Sequence, residues 1–281
     1  MPAAAPAEAE AAVVARLRAA GCVFAEEEAR LLTAEAPTPA RLDELVRRRV
    51  AGEPLEHLLG WAGFCGLRVA VAPGVFVPRR RSELLVREAA ALAPPRPVVV
   101  DLCCGSGAVA AALTAVLGEA EVHASDVDPA AVACARRNLP AASVHIGDLF
   151  AALPPGLRGR VDVLVANVPY VPSDAVALMP PEARDHEPRT ALDGGPDGTD
   201  LQRRVAAGAR DWLAPGGSLV VETSVRQAPH TVAAVEGGGL RAVVVRNDER
   251  DATVVVGSRV SRPSLSAVTH PVTNRNGSVT R

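Results

Sequence analysis

The stretch ANVPYVP, residues 166–172, follows the apolar run VDVLV and sets an asparagine, a proline and a tyrosine at the end of a buried strand. Such a loop can be a plain turn, or it can clamp a planar NH2 group. A carboxamide nitrogen is a poor nucleophile because its lone pair is delocalised into the carbonyl. Alkylating it requires acceptors that fix both N–H bonds and stabilise charge growing on nitrogen. The Asn167 side-chain oxygen and the Val168 carbonyl can accept those bonds without a titrating base. Pro169 stiffens the loop, and Tyr170 can cover one face of the planar group.

A second set of residues can hold a ligand. In VVVDLCCGSGAVAAAL, Gly105, Ser106 and Gly107 lie between a strand and an Ala-rich helix. Glycines there let backbone approach a ligand, and the free N–H groups at the helix start favour a carboxylate or phosphate. The run also fits G-x-G-x-x-A, with Asp126 near the roughly 20-residue offset of a dinucleotide-binding acid. Asp101, however, precedes the glycines and would repel a pyrophosphate. Asp101, Asp126 and Asp148 end consecutive strands at the carboxyl edge where open α/β sheets bind ligands. S-adenosylmethionine, with its ammonium, sulfonium and ribose diol, suits such an acidic rim; the competing reading is that these aspartates cap the following helices. Cys103 and Cys104 read as small residues filling space beside the ligand, since no basic neighbour in sequence would lower their pKa.

The elements that position these residues follow from periodicity. Residues 9–20, 25–35 and 40–50 carry apolar positions at helical spacing and read as a small helical unit. Gly60 to Pro78 has two short β-like runs, Leu67 to Val71 and Val75 to Val77, suggesting a hairpin connector. A helix is expected over Ser82 to Leu92. Then PVVVDL, EVHASD, SVHIGD, VDVLVAN, GSLVVET, LRAVVVR and ATVVVGS alternate with helical segments. Long crossovers make the first five parallel; the short NDERD link makes the last two antiparallel. The fold class expected is α/β: a Rossmann-like seven-stranded sheet with its last strand antiparallel, preceded by a small helical domain and a β-hairpin connector. The expected division is 1–59 helical, 60–80 connector, 81–260 sheet domain and 261–281 disordered tail.

Composition narrows the function classes. The net charge of -2 gives no global attraction to nucleic acid or anionic membranes, and 2% aromatic residues leave few stacking platforms for bases. Mean hydropathy is +0.15, and no apolar run approaches the roughly 18 residues of a membrane span. Five cysteines without CxxC spacing read as reduced thiols in a cytoplasmic protein. His57, His123, His145 and His186 lack metal-ligand spacing and are assigned surface or packing roles, with no metal expected. Arg79 to Arg81 reads as a solvated charge run or a partner contact, and Glu222 as a turn cap.

Taken together, GEPLEHLLG, FCGL, VFVPRRRSELLV, DLCCGSGA, SDVDP, NVPYVP, EPRTALDGGPDG and NDERDATVVVGSR resemble, in order, the HemK/PrmC-type protein N5-glutamine methyltransferases. Their wider class uses Asn-Pro-Pro-Tyr to methylate exocyclic amino nitrogens. The resemblance covers about Gly52 to Arg259. It implies a helical substrate-recognition unit, an S-adenosylmethionine-dependent domain, and methyl transfer to a glutamine of a protein, a translation release factor with a Gly-Gly-Gln motif. By position it implies that Cys103, Cys104, Gly105, Ser106 and Gly107 hold the methionyl part, Asp126 the ribose, and Asp148 with Leu149 the adenine. Asn167 and the Val168 carbonyl would take the amide N–H bonds, with Pro169 and Tyr170 shaping the pocket and Glu187 and Pro188 near the substrate. The chain departs from the family at Val168, where proline is usual, at Cys103, where glycine is usual, and at PRRRSE. A monomer is expected, without membrane contact and without direct nucleic-acid contact. The alternatives are methylation of an exocyclic amine of DNA or RNA, and a catalytically silent adaptor.

Overall fold

The computed structural model describes residues 6–259; the tail expected at 261–281 lies outside the described residues. The chain opens with four helices, α1 (Pro6–Ala19), α2 (Ala25–Glu35), α3 (Pro39–Val50) and α4 (Leu55–Leu59). Thr38 starts α3 by accepting the Arg41 N–H at 3.2 Å, with Pro39 in the first turn. Leu17, Leu32, Leu45 and Val46 fill the core between these helices. The short α4 was not foreseen; it ends at Gly60, whose φ of +78° suits a residue without Cβ.

Next comes a two-stranded hairpin of β1 (Trp61–Phe64) and β2 (Leu67–Ala70). The strand expected at Val75 to Val77 does not form. The Leu67 run pairs instead with Trp61–Phe64, across the two-residue Cys65-Gly66 turn. The backbone around Val75 serves side chains: the Val75 carbonyl meets His57 Nε2 at 2.8 Å, and the Val77 N–H donates to Glu187 Oε1 at 3.1 Å.

After α5 (Glu83–Leu92) come β3 (Val98–Leu102), α6 (Ala108–Leu117), β4 (Glu121–Asp126), α7 (Pro129–Asn138), β5 (Ser143–Ile146) and β6 (Val161–Ala166). The chain continues through α8 (Pro181–His186), α9 (Asp200–Trp212), β7 (Leu213–Thr223), α10 (Ala228–Gly237), β8 (Arg241–Asn247) and β9 (Ala252–Ser258). The seven-stranded sheet has the order β5-β4-β3-β6-β7-β9-β8. β9 runs antiparallel to both neighbours, and the pairings among β3 to β7 are parallel. In β6, Val163 to Ala166 are fully buried, as expected of a strand covered on both faces.

Two apolar layers hold the sheet. Leu85, Leu113 and Val132 of α5, α6 and α7 pack on one face, while Val205, Trp212 and Val235 of α9 and α10 pack on the other. The strand order reverses between β3, which turns to β4, and β6 on its other side. That switch point brings the two sequence motifs together at one edge. The hairpin reaches the same edge: Asn138 Nδ2 donates to the carbonyls of Ala70 and Ser106, while its Oδ1 accepts the Ala70 N–H.

Candidate active site

The expected site residues, apart from Gly107 and Glu187, line one pocket at the carboxyl edge of β3, β4, β5 and β6. Gly107 sits behind the wall at φ +76°. A Cβ there would come within 2.9 Å of Leu139 and 3.1 Å of Ala135, so this glycine lets α6 approach α7. Gly105, at φ +54°, has open space where a Cβ would be. Cys103 adopts φ +56°, a left-handed conformation that strains any residue with a Cβ and accounts physically for a glycine at this position.

Of the three aspartates, only Asp101 meets the capping reading. Asp101 is buried, and its Oδ2 accepts the Ala110 N–H in the first turn of α6 at 3.2 Å. Burial pushes its pKa up to about 8, against the pull of that hydrogen bond and with a further push from Asp126. Asp126 accepts the N–H groups of Gly105 at 2.9 Å and Asp128 at 3.0 Å, which pins the glycine loop to the end of β4. It too is raised by burial. The cap of α7 is Asp128, which accepts the Ala130 N–H. Asp148 is exposed and pairs with Arg204 at 2.6 Å. Burial, with the nearby Asp126, Asp101 and Asp148, raises the Cys103 thiol; burial and the same first two acids raise Cys104. Neither thiol is poised as a nucleophile.

Across the pocket, Asn167 follows β6, which pairs with β3 through Ala166 and Leu102. Its Nδ2 donates to Ser82 Oγ at 3.2 Å, leaving Oδ1 as the acceptor end. The hydroxyl of Tyr170 donates to Glu222 Oε1 at 3.2 Å. A second loop holds these residues from outside. The Val171 N–H donates to the Leu192 carbonyl, the Gly194 N–H donates to the Val171 carbonyl, and Gln227 Nε2 donates to the Tyr170 carbonyl at 2.7 Å. A Cβ on Gly194 would lie 2.7 Å from the Pro169 carbonyl oxygen, and one on Gly198 would strike the Tyr170 carbonyl. The glycines of DGGPDG therefore serve close approach to the 167–170 loop.

Several residues differ from their sequence assignments. Arg79 to Arg81 is solvated only in part: Arg80 and Arg81 are exposed, with Arg81 3.6 Å from Glu222, but Arg79 binds both oxygens of buried Glu187 at 2.6 and 2.7 Å. Glu222 is no turn cap; it is 3% exposed at the end of β7. Ser82 was not singled out. The signal for Glu222 was available, since it ends the fifth parallel strand as Asn167 follows the fourth, whereas nothing local to Ser82 pointed to the pocket. His57 packs against the backbone, and His123 and His145 stack at 5.5 Å. Among the described residues no cluster of metal-ligating side chains occurs, and no helix is long and apolar enough to cross a membrane.

Residues 66–179 match the family described as the methyltransferase small domain. A methyltransferase from Pyrococcus furiosus shares the fold at TM-score 0.54 and 16% identity, over 69% of this chain and 90% of that one. The release factor glutamine methyltransferase of Geobacter sulfurreducens is 38% identical over 220 residues, covering 77% of this chain and 76% of the relative. That of Mycolicibacterium smegmatis is 40% identical over 230 residues, 79% of this chain and 81% of the relative. That of Cereibacter sphaeroides is 36% identical over 266 residues, 86% and 94% respectively. With this extent of identity, the chain belongs to the release factor glutamine methyltransferase family.

Proposed function

We propose that this protein transfers a methyl group from S-adenosylmethionine to the side-chain amide nitrogen of a glutamine in a translation release factor. The observation that carries the reading is the Asn167 carboxamide, tied at Nδ2 to Ser82 so that Oδ1 is left to accept an amide N–H, in the same pocket as the acidic glycine loop.

The pocket fits the cofactor's chemistry. Asp101 and Asp126, both raised by burial, gain from a cationic or hydroxyl partner, and Ser125 Oγ is buried there without a hydrogen-bond partner. Asp101 and the loop from Cys103 to Ser106 would hold the methionyl part, Asp126 the ribose, and Asp148 with Leu149 the adenine. The cofactor supplies an electrophilic methyl group on sulfonium sulfur.

The protein's part is orientation and charge. Asn167 Oδ1 and the Val168 carbonyl accept the two N–H bonds of the glutamine amide, which fixes its plane and makes its nitrogen more electron-rich as the bond to carbon forms. Pro169 and Tyr170, held by Gln227 and the 193–198 loop, set the faces of the slot. After transfer the nitrogen releases one proton to solvent water, so none of the acceptors at the clamp has to titrate. The alternative of a nucleic-acid amine is disfavoured by charge: the chain carries a net -2, and Arg79 at the pocket is committed to both oxygens of buried Glu187.

The test is incubation with methyl-labelled cofactor and a release factor carrying Gly-Gly-Gln, followed by peptide mass spectrometry. One added methyl on that glutamine is expected. Label on nucleic acid, with glutamine unmodified at saturating cofactor, would overturn the reading.

A further inference from the structure

The clamp works only if Asn167 presents its oxygen, and not its NH2, to the substrate. An asparagine is nearly symmetric in shape, so something must break that symmetry. Ser82 alone cannot: its hydroxyl is both donor and acceptor, and it can bond either end of the carboxamide. Ser82 is 2% exposed, and it makes no side-chain cap to α5 despite preceding it. Its hydroxyl is therefore committed to the pocket side.

Glu222 supplies the asymmetry. The parallel register pairs Ala166 with Val221, so Glu222 lies beside Asn167 at the next step of the sheet. Its Oε1 takes the Tyr170 hydroxyl, with Arg81 3.6 Å away, while its Oε2 is buried with no hydrogen-bond partner. A buried acceptor left open is costly unless a rotatable donor can turn to it. The Ser82 hydroxyl is the rotatable donor at hand: it is buried at the start of α5, which packs against β7, and it already meets Asn167, the residue beside which the register sets Glu222. Once the Ser82 hydrogen is turned to Glu222, its oxygen can only accept from Asn167, which must then offer Nδ2.

We propose that Glu222 is a positioning residue that fixes the orientation of the Asn167 carboxamide through Ser82, and so sets the clamp to accept rather than donate N–H bonds. The proposal rests on the clamp reading above. Without Glu222, the Ser82 hydroxyl is free to donate to Asn167 Oδ1, the carboxamide flips, and its NH2 faces the substrate NH2. The Tyr170 contact makes the same carboxylate steady the face of the slot.

The experiment combines side-chain amide NMR of the 15N-labelled full chain with kinetics, for Glu222→Leu, Glu222→Gln and Ser82→Ala. Asn167 is assigned from Asn167→Asp, and Asn138, bonded to the Ala70 and Ser106 carbonyls, serves as internal control. In Glu222→Leu, exchange of the Asn167 NH2 protons should quicken about tenfold or more with Asn138 unchanged, and kcat should fall about 100-fold with cofactor affinity held. Glu222→Gln, which keeps an acceptor oxygen, should restore kcat to within about fivefold of wild type. Ser82→Ala should reproduce the loss, which provides the same test if Glu222→Leu does not fold. Unchanged Asn167 exchange in the folded variants, or a Glu222→Gln loss as large as that of Glu222→Leu, would overturn the proposal. The NMR readout requires no substrate, so a wild type that methylated no glutamine would refute the function and leave the orientation to be judged by itself.

Discussion

The two sides of the pocket are built differently. The side proposed for the cofactor is local: Asp101 and the residues from Cys103 to Gly107 lie in one short run, and its partners Asp126 and Asp128 belong to the next strand end. The side proposed as the clamp is assembled from afar. Asn167 is held by Ser82 from 85 residues away, Tyr170 by Glu222 from 52 and by Gln227 from 57. A local loop can change residues and keep its backbone; an assembled one depends on every distant contact fitting. Substitutions should therefore separate binding from transfer according to side.

The largest effect is expected at Gly198. Its φ is +74°, and a Cβ would strike the Tyr170 carbonyl, so Gly198→Ala should cost about 2–4 kcal/mol of stability. Transfer should be lost even at temperatures where the variant is folded and still binds cofactor, as a melting curve beside calorimetric titration would reveal. An active Gly198→Ala would mean that the second loop does not shape the clamp.

On the cofactor side, Asp101 should make the ligand-free protein pH-sensitive. Its folded pKa of about 8 lies above the unfolded value, so the stabilisation is complete below about pH 4 and is lost as pH rises toward 8. Asp101→Asn should flatten this dependence, the two proteins diverging by on the order of a few kcal/mol across that window. Chemical denaturation at several pH values measures it; parallel pH profiles would remove Asp101 from the account.

Smaller effects follow from backbone conformation. Cys103→Gly relieves a left-handed residue and should stabilise by about 0.5–1 kcal/mol, less the added entropy of glycine in the unfolded chain. Val168→Pro should leave kcat within about threefold, because the role proposed for position 168 is through its carbonyl and the residue already precedes a proline. A folded Val168→Pro protein without activity would contradict the carbonyl assignment.

The same contrast governs what could be read in the sequence. Seven strands and their directions follow from apolar runs and crossover lengths. The glycine loop and the 167–170 loop were legible because each is contiguous. Val75 to Val77 looked like a strand by composition, but its N–H and carbonyl groups serve Glu187 and His57. Arg79 looked solvated because its carboxylate partner lies 108 residues away. Ser82 carries no local signature and reaches Asn167 from the turn before α5, whereas Glu222 is set beside Asn167 by the register of β6 and β7.

The most direct test of the account is Asn167→Ala, with cofactor affinity and methyl transfer to the release factor glutamine measured on the same preparation. The prediction is a fall in kcat of about 100–1,000-fold with cofactor affinity within about threefold of wild type. Transfer near the wild-type rate, or loss of cofactor binding equal to the loss of transfer, would contradict it.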